Sequence, residues 1–571
     1  MIEQASLVLG NGNWAVKSDS LLGYKINGGK YYPREFTFTR ATTGTRVNEA
    51  GLVELVPYNL LSYSEEMSTS PWALVRSTVN TNATTAPNGT LTADELIANV
   101  TGSNGSWTRQ TISAINGSFN LSVYAKQGTS PFLYVRLDGL GGVIFDLSNG
   151  TIKSSSAGIV GVITTDVNGW YKCSISGTAT GQTLALFIVG NASMNLSTWF
   201  STNGDSVYLW GAQLVEGSSA LDYLPTTDRL DIARIDYSTG EPALLLEPQR
   251  TNLVTYSSSF DNAAWVVQFA TITANDATAP DGTMTADRLN VLTNGYAGVY
   301  QSGNSALNKY TSSIFAKKGT KDWLYFVNAS GTLVVAWFNI SNGTLGTIIN
   351  GTATIEDFGN GWYRCNYSDA SNIANSFFQI GFSDADNSFT PSSNGFAYIW
   401  GAQREVGTYP TSYIPTTSAS VTRNADFALI SNASNLIGQT EGTMFIEFTR
   451  ENNSVGTFSI SANNVGTRIY IGTDATGLIC QVRNGYVQQA YFSTAQIEGT
   501  KYKCAIAYAT NDFVLYMNGT QIGTDTSGTV PACNTIRTDD AGGANLNQPL
   551  NQAILFPTRL TNAELATLTT I

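Results

Sequence analysis

The run VYLWGAQLVEG at residues 207–217 returns as AYIWGAQREVG at residues 397–407, and the fold follows from that near-identity. Outward from each copy the same boxes recur in the same order. VPYNLLSY (56–63) matches EPQRTNLVTY (247–256), APNGTLTAD (86–94) matches APDGTMTAD (279–287), and VYAKQGT (123–129) matches IFAKKGT (314–320). NGWYKC (168–173) matches NGWYRC (360–365), and DYLPTT (222–227) matches SYIPTT (412–417). The offset is 193 residues at Trp72/Trp265 and at Asp94/Asp287, 192 at Trp170/Trp362 and 190 at Trp210/Trp400. Solenoid units repeat every ~20–50 residues, so this long period marks a duplicated domain.

Within each copy the pattern is β. FNLSVYA (119–125), FLYVRLD (132–138) and WYKCSIS (170–176) alternate apolar and polar residues, while LALFIVG (184–190) and VYLWGAQL (207–214) read as buried strands. Asn-Gly turns such as SNGT (148–151) and VNGW (167–170) separate them. The exceptions predicted are single helical turns at TADEL (92–96) and TADRL (285–289). From about residue 431 the repeat stops, but alternation continues through EGTMFIEFTR (441–450), LICQVRN (478–484) and KYKCAIAYA (501–509). In FVLYMNGTQIG (513–523), Asn518–Gly519 predicts a two-residue hairpin. The chain closes on a predicted short helix, with Thr561 or Asn562 as cap and Glu564 in its first turn.

The expected fold class is therefore all-β: three antiparallel β-sandwich (jelly-roll) domains in tandem, two of them homologous, after a small N-terminal segment. The domains read as 1–55 (docking or assembly), 56–228 (sandwich, copy 1), 229–418 (linker and sandwich, copy 2) and 419–571 (lectin-type sandwich). The connecting segments 36–61, 229–252 and 419–430 lack the composition of flexible linkers and are expected to pack on their neighbours.

Composition removes whole classes of chemistry. The 571 residues contain no histidine, which excludes Ser-His-Asp hydrolysis, His-ligated zinc and imidazole base catalysis. Net charge is −12 with Lys and Arg scattered singly, so neither nucleic acid nor an anionic membrane is an expected partner. Only 13% of residues are charged, against a usual ~25%. The five cysteines have no C-x-x-C spacing and read as buried small apolar residues. The opening MIEQASLVLGNGNW has no basic n-region, and no apolar run reaches the ~18 residues of a membrane span. The expectation is a protein neither classically exported nor membrane-spanning.

Trp72 and Trp265, near the start of each copy, are the candidates for stacking on sugar rings. Trp170/Trp362 and Trp210/Trp400, inside apolar runs, read as core. Asp94 and Asp287 are candidate calcium ligands through carboxylate oxygen, with bonding to backbone in a turn as the simpler use. No catalytic residue is assigned. Hydrolysis by two acids needs a pair roughly 5–10 Å apart. The acids in view are Glu65, Glu66 and Glu95, near whose places the second copy has Ser257, Ser258 and Arg288, and Asp539 and Asp540 in a turn-like TDDAGG.

Several of these boxes together resemble tail and head fibre proteins of tailed bacteriophages. The residues that carry the resemblance are TRATTGTRVNEAGLVE (39–54), ALLLEPQRTNLVTYS (243–257), the APDGT-x-TAD box, YIWGAQREVGTYPTSYIP (398–415) and VTRNAD (421–426). The first copy departs at its entrance, where VPYNLLSYSE stands for LEPQRTNLVTYSS. The resemblance implies a virion appendage with tandem carbohydrate-binding-like modules and a C-terminal concanavalin A-like (laminin G-like) domain. Its function would be structural and adhesive, on head or tail, with weak multivalent binding to host-surface or environmental glycans. Its partners would be capsid or tail proteins and further copies of itself (dimer or trimer), and it would be made in the bacterial cytoplasm. No cofactor is implied beyond calcium at the two aspartates. Two other functions remain open: a tail-spike polysaccharide depolymerase, and an architectural decoration without a ligand. The first 35 residues, with Trp14, Tyr24, Tyr31 and Tyr32, have no repeat partner and read as a docking element.

Overall fold

The computed structural model describes residues 2–17, 20–56, 59–216, 220, 223–228, 230–293, 295–302, 306–330, 332–372, 377–452, 454–543 and 545–571. The chain is nearly all β, in antiparallel sheets. It divides into two compact units: residues 56–229, and residues 1–55 together with 230–571.

The 56–229 unit is a two-layered sandwich built on two long strands, Ser106–Gln127 and Tyr171–Gly190. They pair along their whole length with one register break between Ile112 and Ile115, so each contributes to both layers. One layer continues from them through Ala73–Val75 on one side and Phe132–Leu137, Gly141–Asp146 and Thr151–Ser155 on the other. The second layer adds Ser77–Thr84, Ala93–Ala98, Ser206–Glu216 and Val160–Thr165. Leu121, Val123, Leu133, Val135, Phe187 and Val189 fill the space between the layers.

The second copy repeats this strand order, with each long strand cut in two. Its layers are two six-stranded sheets, one centred on Phe377–Ser383 and Trp323–Ser330, the other on Gly395–Val406 and Tyr310–Lys318.

The repeated boxes coincide with repeated hydrogen bonds. The Asn59 amide donates to the carbonyls of Ala212 and Leu224, and Asn252 donates to those of Ala402 and Ile414. Trp170 Nε1 donates to the Thr85 carbonyl at 3.1 Å, and Trp362 Nε1 to that of Thr278 at 3.1 Å. Trp210 Nε1 bonds Thr92 Oγ1 at 3.0 Å, and Trp400 Nε1 bonds Thr285 Oγ1 at 3.1 Å. The W-G-A-Q box has a backbone reason as well. Gly211 and Gly401 take φ of 62° and 67°, and with Ala212 and Ala402 they oppose a single residue of the neighbouring strand. A bulge with a left-handed first residue favours glycine there.

The C-terminal strands form one continuous hydrogen-bonded path, and the N-terminal strands lie inside it. Leu7–Gly10 pairs with Leu550–Phe556, Ser20–Asn27 pairs with Lys30–Thr39, and Lys30–Thr39 pairs with Phe427–Ile430. Those three N-terminal strands thus join Leu550–Phe556 to Phe427–Ile430, and Leu7, Leu9, Leu21, Phe36 and Phe38 are buried in the same core as Phe458, Ile471 and Leu515. This corrects the expected boundary at residue 55, because a strand buried on one face cannot stand as a separate segment. Trp14 is held by the Pro242 carbonyl at 3.1 Å and Tyr24 is buried, while Tyr31 stays 61% exposed near the Gly28–Gly29 turn.

Other local expectations meet the structure in detail. Asn518 and Gly519 have φ of 49° and 78° between the strands Asp512–Met517 and Thr520–Asp525, a type I′ hairpin. Thr561 caps the helix Asn562–Thr569 in a reciprocal capping box with Glu564. All five cysteines are buried and free. The helical turns predicted at 92–96 and 285–289 are instead strands, Ala93–Ala98 and Ala286–Val291. Alternating burial against the sandwich core overrides the local T-A-D cap signal there.

The segments flanking the repeats converge on a buried ion cluster within the larger unit. Arg40 pairs with Asp426 at 2.8 Å, Arg234 contacts Asp426 and pairs with Glu247 at 2.7 Å, and Arg423 pairs with Glu247 at 2.7 Å. Ser412 donates to Glu247 from its amide (2.6 Å) and its hydroxyl (2.7 Å). Gly44 lies against all three arginines: a Cβ there would come within 3.3 Å of Arg40 Nε, Arg234 Cδ and Arg423 Cδ. Burial pushes the Arg40 guanidinium down to about 10, against the pull of Asp426. Burial would raise the Glu247 carboxyl, but Arg423 and Arg234 overrule it and hold it down to about 2.

Candidate glycan-binding faces

Trp72 and Trp265 do not face solvent. They are 5% and 3% exposed, and each Nε1 donates to backbone, Trp72 to the Ser62 and Tyr63 carbonyls and Trp265 to that of Tyr256. Phe187 lies 5.8 Å from Trp72 and Phe260 lies 4.9 Å from Trp265, ring to ring. No ring face is left for a sugar, so both tryptophans are corrected to core residues.

Asp94 and Asp287 are likewise structural. The Asp94 oxygens accept from the Met67 amide (2.9 Å) and the Asn82 amide (3.0 Å), and the Asp287 oxygens accept from Phe260 (2.7 Å) and Asn275 (2.9 Å). Each aspartate ties the loop before its tryptophan to a strand, Ser77–Thr84 or Ala270–Ala277, and its lone pairs are directed at those amides. Burial raises both carboxyls, that of Asp287 to about 6. Among the described residues, no three His, Cys, Asp or Glu side chains group closely enough to hold a metal ion.

The acids considered for hydrolysis are tied down separately. Asp539 is bound by Arg537 and the Ala541 amide, and Asp540 by Arg468 and the Gly542 amide, so each closes a turn. Glu65 accepts from the Tyr223 hydroxyl at 3.2 Å, and burial raises its carboxyl.

The side chains suited to meet a ligand are others: Arg76, Trp107, Arg109, Arg136 and Trp199, which stay partly open above a buried floor of Tyr134, Ile144, Leu186 and Ile188 on the outer face of the layer that holds Phe132–Leu137. Residues directly opposite in antiparallel strands point to the same side. The register therefore puts Trp107, Ile188, Tyr134 and Ile144 in one row and Arg109, Leu186 and Arg136 in the next. The loop carrying Trp199 folds over this face: Trp107 and Trp199 meet edge-to-face at 5.3 Å, and Tyr134 lies 6.2 Å from Trp199. Arg76 stacks 4.6 Å over the Trp107 ring, and Arg136 lies 5.0 Å over Trp199. Burial works against the Arg136 charge, but bonds to the Tyr134 hydroxyl and Asp138 outweigh it and hold its pKa above the ordinary value.

The second copy has an aromatic cluster at the same place with different members. Tyr325 occupies the position of Tyr134, and the covering loop contributes Phe389, stacked on Tyr296 at 4.5 Å and lying 5.3 Å from Tyr325. Tyr296 is 40% exposed. Trp337 lies 4.9 Å from Phe389 and donates to the Ser388 carbonyl at 2.9 Å. Sequence reasoning missed both clusters because it searched the repeated boxes, and Trp107, Trp199, Tyr296 and Phe389 lie outside them.

No family model matches the chain, and no curated protein matches it. Solved structures give low-level likenesses. The LG1-3 region of the laminin α2 chain aligns over 80% of this chain and 96% of its own length at 10% identity, with a TM-score of 0.17. Domains LG4-5 of the mouse laminin α1 chain align over 48% of this chain and 93% of their own at 11% identity, with a TM-score of 0.17. The heptameric SAP-like pentraxin from Limulus polyphemus aligns over 22% of this chain and 68% of its own at 16% identity, with a TM-score of 0.18.

Proposed function

We propose that this chain is a non-enzymatic adhesive protein of a bacteriophage virion appendage, holding weak glycan-binding faces on a framework of β-sandwiches. The observation that carries the adhesive part is the aromatic cluster that both copies place on the outer face of the same layer, with a buried floor (Tyr134; Tyr325 and Trp337) and a rim partly open to solvent, Trp107 and Trp199 in the first copy and Tyr296 and Phe389 in the second. Stacking on aromatic rings plus a few polar contacts suits sugars, and several weak faces on one particle bind strongly together. The virion part rests on the fibre-like sequence boxes. The separate engagement of Glu65, Asp539 and Asp540 supports an adhesive over a hydrolytic role.

The test is a glycan array probed with the full chain and with a Trp199→Ala/Phe389→Ala double variant. Binding that falls at least about tenfold in the variant is expected. Absence of binding to every immobilised glycan would overturn the adhesive reading in favour of pure architecture. Immunogold labelling of purified particles tests the location, and a protein absent from them would overturn the virion assignment.

A further inference from the structure

We propose that the outer face of the first copy takes an acidic polysaccharide, a sugar chain bearing carboxylates, whereas the matching face of the second copy is built for an uncharged one. This deepens the adhesive reading and rests on it.

The comparison is position by position. Arg109 lies opposite Ala73 and Leu186, and in the second copy Tyr300 lies opposite Val266 and Gln379. Arg136 lies opposite Leu186, and Val327 lies opposite Gln379. Ala73 and Val266 each follow the core tryptophan, which fixes the alignment, and Arg76 then corresponds to Phe269. Both of those take the same left-handed backbone, with φ of 50° and 47°. Three arginines of one copy thus stand where the other has an exposed phenylalanine, a tyrosine and a buried valine.

The arginines share one ligand-sized area. Arg109 and Arg136 are on strands two apart, about 10 Å across the sheet, and Arg76 reaches the same area over Trp107. Lys153 adds a fourth cation beside Phe132, with its ammonium 4.4 Å from the ring and donating to the Ala192 and Met194 carbonyls at 2.6 and 2.9 Å. Two acids share the face: Asp138, bound to Arg136 at 3.0 Å, and Asp146, directly opposite Phe132, so the cations outnumber the acids there by two. Guanidinium groups bind carboxylates with two parallel hydrogen bonds, and those over indole rings are already oriented. In a chain of net charge −12, four cations around two tryptophans are a local reversal of sign. A duplex nucleic acid would need a longer basic stripe than this, and the remaining negative surface would repel it. A short acidic sugar segment meets the cations and rings alone.

The experiment measures binding of the full chain to polygalacturonate, to its fully methyl-esterified form and to duplex DNA. The ester keeps the sugar backbone and removes the charge. Parent protein is expected to bind the acid form at least about tenfold more tightly than the ester, with affinity falling as salt rises. Arg109→Gln/Arg136→Gln is expected to lose that preference. Arg76→Gln, which gives up the exposed guanidinium's bonds to the Asn104 and Gly105 carbonyls but no strand pairing, should reduce it in part. Equal binding of acid and ester, or unchanged preference in both variants with unfolding like the parent, would overturn the inference while the adhesive reading stands. Binding to neither polymer and to no other glycan would overturn both. DNA bound as tightly as polygalacturonate would overturn the choice of ligand.

Discussion

The two copies share a fold and differ in what they are tied to. The first is a compact unit by itself, inserted between residues 55 and 230 of the other unit's sequence. The second belongs to the same unit as the C-terminal strands, and its own side chains enter that unit's ion cluster. At the end of the W-G-A-Q box the first copy has Leu214–Val215 and the second has Arg404–Glu405. Glu405 is buried, pairs with Arg250 at 3.6 Å and accepts from the Thr411 hydroxyl at 2.9 Å. Arg404 stacks 4.6 Å over Tyr310 and lines a cavity of about 260 Å³. Arg250 has no counterpart in the shorter entrance of the first copy. The first sandwich is thus a compact unit by itself, whereas the second shares its unit and its buried charges with the C-terminal strands.

The largest effect should come from removing residues 1–39. Their strands bridge Leu550–Phe556 and Phe427–Ile430, so the larger unit is expected to lose its cooperative unfolding transition while 56–229 keeps its own. Denaturant unfolding read by hydrogen exchange in each unit checks this, and two unchanged transitions would separate the strands from the core.

Next comes Glu247→Gln, which leaves Arg234 and Arg423 without their shared carboxylate. The larger unit should lose about 3–5 kcal/mol and 56–229 nothing, as measured by urea unfolding. Acid gives a matching signature. The folded carboxyl sits at about 2 against an ordinary 4.5, so its stabilisation is complete above 4.5 and disappears as pH falls through about 2. That loss is on the order of 3 kcal/mol, and the glutamine variant should not show it.

Asp287 should act with the opposite sign and slightly more weakly. Its folded carboxyl is at about 6 against 3.8, so folding favours the protonated form. Its contribution is present below 3.8 and is lost as pH rises through about 6, on the order of 3 kcal/mol. Asp287→Asn should flatten the stability profile of the larger unit between those limits, and an unaltered slope would assign the titration elsewhere.

The sandwich class was legible because strand alternation, Asn-Gly turns and a long repeat all point the same way; the I′ hairpin at Asn518–Gly519 and the Thr561 cap are local chemistry and were readable for that reason. The integration of residues 1–39 was not legible, since pairing between Leu7 and Leu555 spans almost the whole chain and leaves no local trace. The ion cluster was not legible either, because which arginine meets which acid depends on how three distant segments converge. The sites were misplaced for a physical reason. Trp72, Trp265, Asp94 and Asp287 recur because each fixes backbone in the same sandwich, whereas a ligand-facing side chain is free to change between copies, as Arg109 and Tyr300 do.

A single side-by-side measurement bears on that division most directly: urea unfolding and polygalacturonate binding of Trp72→Ala and Arg109→Gln. Trp72→Ala is expected to cost the 56–229 unit about 3–5 kcal/mol. Arg109→Gln is expected to leave stability within about 0.5 kcal/mol while weakening binding several-fold. A Trp72→Ala protein that keeps its stability and loses only its ligand would contradict the account.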